Sequence, residues 1–285
     1  EEYYGAGAPM RVNQNGQLLL GPTLMEFGTE AQKKRFLPRM AASADMWAQG
    51  WSEPNAGSDM AAITSKASRD GDSYVLNGQK TWSTRAIFAD WLFGLFRSDP
   101  GSSRHHGLSF VMVPLNAPGV TVRPIKALND KQAFAEVFFE DAFVSDEWVL
   151  GEVDAGWSVA MSTTSSERGL TLRSPGRFMA TAERLVARAR EHEDLDPVLA
   201  DRVTTAWMAA EAYQLYTLAD VTDVTEGRPP GARSSLNKLW WSELDVELHR
   251  VGLELAGAEA ELDEGSPGAV DDGRWMKGWQ FALSG

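Results

Sequence analysis

The chain contains no cysteine. Disulfides, thiolate nucleophiles and cysteine-ligated metals are thereby excluded, and the composition is compatible with a reducing compartment such as the cytoplasm. Histidine is scarce: His105, His106, His192 and His249 are the whole complement. The His105-His106 pair lies in a polar stretch, and adjacent side chains point apart rather than converge on one ion, so no metal site is expected. Long apolar runs are missing too. None approaches the ~20 residues of a membrane helix, and the opening Glu1-Glu2-Tyr3-Tyr4 has no signal-peptide pattern. Cations are outnumbered 27 to 40, a net charge of −13. That balance argues against a nucleic-acid surface, which needs clustered Lys and Arg. It leaves room for a small anionic ligand, because a pocket can be basic on an acidic protein. With 43% hydrophobic and 10% aromatic residues over 285 positions, what remains suffices for one large core or two packed domains.

The pattern of periodicity changes twice. Residues 1–48 read as helix and loop. Thr29 and Gln32 fit a capping box ahead of an apolar stripe, Phe36, Leu37 and Met40, and Pro38 is expected to bend or stop that helix. Residues 49–150 read as short alternating runs: around Ser73-Tyr-Val-Leu76, Trp91–Phe96, Leu108–Pro114, Val120–Ile125 and Glu136–Phe139. Asp70-Gly71 and Asn77-Gly78 are both strong hairpin dipeptides. Such spacing predicts an antiparallel barrel or sandwich. Residues 151–285 read as long helices, Trp157–Arg190 kinked at Pro175, then Pro197–Thr225 and Ser234–Leu255, with a shorter segment Gly273–Leu283. The fold class expected is therefore α+β: an N-terminal helical part, a central antiparallel β-barrel domain and a C-terminal helical bundle.

Two segments carry chemistry. Gln49-Gly-Trp-Ser-Glu-Pro-Asn-Ala-Gly-Ser-Asp59 is a tight Gly/Pro/Asn-rich turn exposing hydroxyls and backbone N–H groups, of the kind that can hold an anion or a polar ring edge. An ordinary loop leading into a β-domain has the same composition. Gly78-Gln-Lys-Thr-Trp-Ser-Thr84 sets a tryptophan beside two hydroxyl residues, able to offer an indole face and two donors to a planar ligand; a strand whose tryptophan packs inward reads equally well.

Taken together, in this order and at this separation, the two segments resemble the acyl-CoA dehydrogenase family. The likeness runs on through Asp70-Gly-Asp-Ser-Tyr-Val-Leu-Asn-Gly78, His106-Gly-Leu-Ser-Phe-Val-Met-Val113, Glu136-Val-Phe-Phe-Glu-Asp141 and Gly156-Trp157 to Ser166-Glu-Arg168. The resemblance implies FAD held by the β-domain against the later helices. It places Gln49, Trp51 and Ser52 along the flavin ring, Gly57 and Ser58 at its edge or pyrophosphate, and Trp82, Ser83 and Thr84 over its other face and N5. Ser58 is also assigned to the substrate. The implied reaction is α,β-dehydrogenation of an acyl-CoA thioester, one carboxylate taking the α-proton while a hydride passes to flavin N5. Glu167 stands where one branch of the family carries that base; on composition alone it is a solvated helix residue. Arg168 matches a position the family keeps as arginine, supporting the substrate wall.

Three departures stand against the pattern. The N-terminal helical part is short, and the chain stops at Phe281-Ala-Leu-Ser-Gly285, before the loop that in another branch supplies the base. The Arg-x-x-Phe/Gln-Gly segment that reaches a neighbour's FAD is replaced by Glu191-His-Glu-Asp-Leu-Asp-Pro197, an acidic stretch that should weaken or abolish a phosphate contact. One bacterial branch looks like this, with related subunits pairing and some flavin sites lost, and Gly231-Ala-Arg-Ser-Ser-Leu-Asn-Lys238 resembles it too. The expected partners are an acyl-CoA substrate and like or sister subunits in a homo- or hetero-oligomer. Trp240-Trp241 directs two indoles differently, so one is expected to face a partner. A non-catalytic or half-site subunit, and a flavin-dependent monooxygenase or oxidase on the same scaffold, are the rival readings.

Overall fold

The computed structural model describes residues 2–8, 11–168, 174–228 and 234–283; the side chains of Glu167, Arg168 and Ser234 lie outside that description. In chain order the elements are α1 (Glu2–Gly5), α2 (Gly21–Phe27), α3 (Glu30–Ala41), β1 (Trp47–Gly50), β2 (Lys66–Asp70), β3 (Ser73–Thr84), β4 (Trp91–Arg97), β5 (Leu108–Pro114), β6 (Val120–Ile125), β7 (Phe134–Ser145) and β8 (Val149–Leu150). Helices α4 (Gly156–Arg168), α5 (Pro175–Ala189), α6 (Pro197–Thr225), α7 (Ser234–Ala256) and α8 (Arg274–Ala282) follow. Contacts group the chain into two compact units, Arg11–Glu167, and Glu1–Met10 with Arg168–Gly285.

The first unit is built on one eight-stranded sheet of order β6-β7-β3-β2-β4-β5-β8, with β1 paired to β4 off that path. Alternation sends Leu92, Phe96, Val111, Val113, Val137 and Phe139 to one face, where they form a continuous core. On the other face Trp47 stacks on Trp91 at 5.5 Å, with Phe36 and Trp148 packed edge-on against Trp91. Helix α3 starts with the expected capping box, Thr29 and Gln32 each accepting from the other's backbone N–H. The Gln32 amide also donates to the carbonyls of Glu147 and Val149, tying the helix to β8. Pro38 does not stop the helix. It sits inside α3, which runs on to Ala41.

Two expectations need correction. Asp70-Gly71 does turn β2 into β3, but Asn77-Gly78 is no hairpin: β3 continues through it to Thr84. The positive φ of Gly78 (142°) serves a bulge instead, at a register shift against β7, where the Asn77 side chain exchanges hydrogen bonds with Asp141. The pairing is also not wholly antiparallel, because β1 enters parallel to β4, Trp47 opposite Trp91 through Gly50 opposite Gly94.

In the second unit, Phe178, Leu185, Val203, Tyr213, Trp241, Leu248, Val251 and Trp275 form the core of a helical bundle. Pro175 opens α5 at its first turn rather than kinking one long helix. Asp196 caps α6, accepting from the backbone N–H groups of Val198 and Leu199. The Trp240-Trp241 pair splits: Trp241 is buried, and Trp240 lies on the rings of Tyr213 and Tyr216. Gly252 makes room for Trp275, since a Cβ there would lie 2.1 Å from the indole. No described helix is long and apolar enough to cross a membrane.

A candidate ligand-binding site at a gap in the sheet

The site begins with a topological gap. Strand β1 pairs with β4 only as far as Gly94, and β2 rejoins β4 only at Arg97. Between them the chain leaves the sheet from Trp51 to Ser65, so no residue of β1 or β2 pairs with Leu95 or Phe96. The Lys80 side chain fills that gap. Its Nζ donates to the Leu95 carbonyl at 2.7 Å and to Glu53 Oε1 at 2.8 Å, above the Phe96 ring at 4.9 Å. Both partners are buried, the ammonium completely.

Glu53 is fully engaged. Besides Lys80 it accepts from the backbone N–H of Thr64 (2.6 Å) and Ser65 (3.0 Å) and from the Thr64 hydroxyl (2.9 Å). Burial alone pushes its carboxyl up, but the Lys80 charge and these donors outweigh it and hold Glu53 below the usual carboxylate range. Burial pulls Lys80 the other way, down from the usual ammonium range, against the pull of Glu53. The geometry decides in favour of an ionised pair, because every oxygen of Glu53 faces a donor.

Just beside this pair the two motif segments meet: the Thr81 N–H donates to the Ser52 carbonyl at 2.9 Å. On the Ser52 side, Glu53 and Ala56 exchange both backbone hydrogen bonds around Pro54-Asn55, a tight turn that leaves Gly57 and Ser58 exposed. Asp59 then pairs with Arg104. On the Thr81 side, β3 pairs with β7 at Lys80 and again at Ser83, so Thr81 and Trp82 bulge together. Trp82 takes a left-handed φ of 57°, a conformation a bulky side chain adopts only when its surroundings impose it. The bulge turns the indole outward, 59% exposed, with Phe134 edge-on at 5.9 Å. The indole is therefore not sealed in the sheet.

The other predicted residues are distributed as follows. Trp51 is half-buried, edge-on to Phe93 and Phe110. Gln49, on β1 opposite Phe93, has its Oε1 buried with no hydrogen-bond partner among the described residues, and so has the Ser83 hydroxyl on β3. Thr84 is half-buried. Glu167 and Arg168 close α4, and their side chains lie outside the described residues. A cleft of about 590 Å³ lined by Arg35, Arg39, Asp90, Trp91 and Asn116 includes none of the predicted site residues.

An isoalloxazine ring would need an aromatic surface and polar groups at its edge. The exposed indole of Trp82, the hydroxyls of Ser52 and Thr84, and the two partnerless buried atoms on Gln49 and Ser83 provide that donor and acceptor set. Glu53 and Lys80 lie inside the two motif segments without standing out as functional residues in the sequence. No local signal marks them: their chain neighbours Ser52, Pro54, Gln79 and Thr81 are half-buried or exposed, and only the fold buries the two charges against each other.

Models of the acyl-CoA dehydrogenase N-terminal, middle and C-terminal domains match residues 1–44, 48–142 and 154–278 in order. The acyl-CoA dehydrogenase IpdE1 of Mycobacterium tuberculosis is 41% identical over 272 residues, covering 93% of this chain and 70% of that protein. Among solved structures, a Tcur3481-Tcur3483 steroid acyl-CoA dehydrogenase (ACAD) superposes with TM-score 0.88 at 29% identity, over 98% of this chain and 72% of its own. The ChsE4-ChsE5 complex from Mycobacterium tuberculosis gives 0.86, also at 29%, over 99% and 74%. With its three domains matched in sequence order and a relative this close, the chain belongs to the acyl-CoA dehydrogenase family.

Proposed function

We propose that the chain is a subunit of an FAD-dependent enzyme that introduces an α,β double bond into an acyl-CoA thioester. The observation that carries this reading is the junction of the two motif segments, Ser52 bonded to Thr81 beside the buried Glu53–Lys80 pair, with Trp82 turned outward. Gln49, Trp51, Ser52, Trp82, Ser83 and Thr84 would hold the flavin, with Gly57 and Ser58 at its polar edge. Bound there, the flavin supplies a two-electron acceptor for the hydride that leaves the β-carbon.

The protein's own part is acid–base and electrostatic. An α-proton is a poor acid, so the base must be positioned and shielded from water, with donors ready for the enolate-like thioester oxygen. Glu167, in the last turn of α4, is the base in this reading, its carboxylate taking the α-proton; Arg168 supports the wall beside the substrate. Ser58, exposed after the Pro54-Asn55 turn, is free to meet the substrate. The likeness to structures described as a steroid ACAD supports a large fused-ring acyl group, and the paired names in those descriptions support a sister subunit of the same family.

A half-site role is the second reading, and one feature favours it. In the stretch that stands in place of the family's phosphate-reaching arginine segment, Asp196 occupies the N-terminus of α6 as its cap, and the nearby Arg188 is turned into a pair with Glu191. A carboxylate already seated at that helix end repels a phosphate.

The two readings separate in one experiment. The full-length protein, alone and with its sister subunit, is mixed anaerobically with a panel of acyl-CoA thioesters while flavin absorbance is followed. Bleaching in the complex that disappears in Glu167→Gln, with an activity loss of about 10²–10⁴-fold, supports the catalytic reading. Unchanged bleaching in that variant assigns the base elsewhere, and a complex without flavin overturns both.

A further inference from the structure

We infer that the Glu53–Lys80 pair is a positioning device for the flavin site, fixing the Trp82 bulge relative to Ser52 rather than merely stabilising the sheet. The inference rests on the flavin reading above. Three observations carry it. The pair sits at the one stretch of β4, Leu95 and Phe96, that neither β1 nor β2 reaches, so at Lys80 β3 has no ladder on the edge facing that stretch and is paired only to β7. It lies one residue from the Ser52–Thr81 hydrogen bond on both segments, since Glu53 follows Ser52 and Lys80 precedes Thr81. Lys80 is also the last residue of β3 in register with β7 before Thr81 and Trp82 bulge.

The mechanical consequence follows from these positions. Glu53 is clamped from its far side by Thr64 and Ser65, and Lys80 from its far side by the Leu95 carbonyl. The pair therefore fixes where Ser52 and Thr81 meet, and through Thr81 it fixes the direction in which Trp82 leaves the strand. A left-handed tryptophan keeps its conformation only while its neighbours over-determine it. With the ammonium removed, Thr81 and Trp82 gain a lower-strain alternative, and the indole and the Ser83 hydroxyl lose their fixed positions. Neither side chain touches substrate in this scheme; the role is positioning, not catalysis.

Lys80→Met is the direct test, in the full-length protein expressed with its sister subunit. It keeps most of the side-chain volume and leaves Glu53 three donors from Thr64 and Ser65. FAD affinity, the visible flavin spectrum and the flavin reduction potential are measured beside far-ultraviolet circular dichroism. The expected result is a native circular dichroism spectrum with FAD affinity reduced roughly tenfold or more, shifted flavin bands and a changed potential. Should Lys80→Met fail to accumulate, Lys80→Gln, which keeps an N–H for Glu53, is read the same way. A folded variant whose FAD affinity, bands and potential all match the wild type overturns the inference while leaving the flavin reading intact. A wild-type complex that takes up no FAD overturns the flavin reading itself, and this inference with it.

Discussion

Lys80 puts an ammonium where a strand would ordinarily put an amide. The substitution is costly to disturb, because removing one partner strands the other charge in a buried place. Lys80→Met should lower stability by about 3–5 kcal/mol at neutral pH. The pH dependence has a definite sign. Glu53 titrates below its unfolded value, so its contribution is complete above an unfolded pKa of about 4.3 and is lost as pH falls through the lower folded value. In Lys80→Met the stranded carboxyl protonates more easily, so the stability gap between variant and wild type should narrow on acidification. Denaturant melts between pH 3 and pH 7 check this; a gap that widens towards acid contradicts an ionised pair. Gly78 gives a second test at this scale. A Cβ there would lie 2.4 Å from the Ser65 Oγ and 2.7 Å from its Cα, at a φ of 142°. Gly78→Ala should therefore destabilise by more than the roughly 1 kcal/mol of an ordinary strained turn, with the loss seen in thermal melts. At this scale the sequence named the candidate site residues only through the family resemblance. That Trp82 faces outward was not legible, because whether a strand tryptophan points in or out depends on a bulge set by a partner strand more than fifty positions away.

Among the elements, what the local sequence controls was legible and what partners control was not. The capping box at Thr29 is local chemistry and is present; Thr29→Ala should cost about 1 kcal/mol, measurable as a lowered midpoint in urea. Helix α6 begins and ends at the expected residues, Pro197–Thr225, because an aspartate cap and a proline at the first turn mark its start. Asn77-Gly78 misled because the dipeptide is favoured wherever a left-handed residue is needed, and β7 pairs with β3 on both sides of it, so the strand could not turn. The same reasoning explains Pro175, whose fixed φ suits a first turn as well as a kink. Packing between α7 and α8 was invisible in periodicity, since it hangs on two absent Cβ atoms, at Gly252 against Trp275 and at Gly278 against His249. Gly252→Ala would drive a methyl into the Trp275 indole. The expected cost is about 1–3 kcal/mol, with a change in near-ultraviolet circular dichroism from the displaced tryptophan; an unaltered spectrum and midpoint would show that α8 yields freely.

For the molecule as a whole, charge sets a condition on the proposed substrate. A net charge of −13 repels a polyanionic coenzyme A thioester at long range, and that repulsion is screened over about 8–10 Å at physiological salt. Stopped-flow association of an acyl-CoA with the complex should accordingly quicken as ionic strength rises from ~0.01 M to ~0.15 M. A rate that falls instead would mean that a basic entrance dominates the field. The acidic balance was plain from composition; where compensating cations stand was not, since only three-dimensional neighbours decide it.

The gap bridged by Lys80 has one last consequence. Elsewhere β4 is laced by backbone bonds on both edges, but at Leu95 and Phe96 only the β5 edge has them, and on the other edge a single charged side chain takes the Leu95 carbonyl. Under mechanical pulling or partial denaturation, separation should start on that edge, and deuterium should enter the Leu95 amide, which faces the gap, before the Phe96 amide, which faces β5.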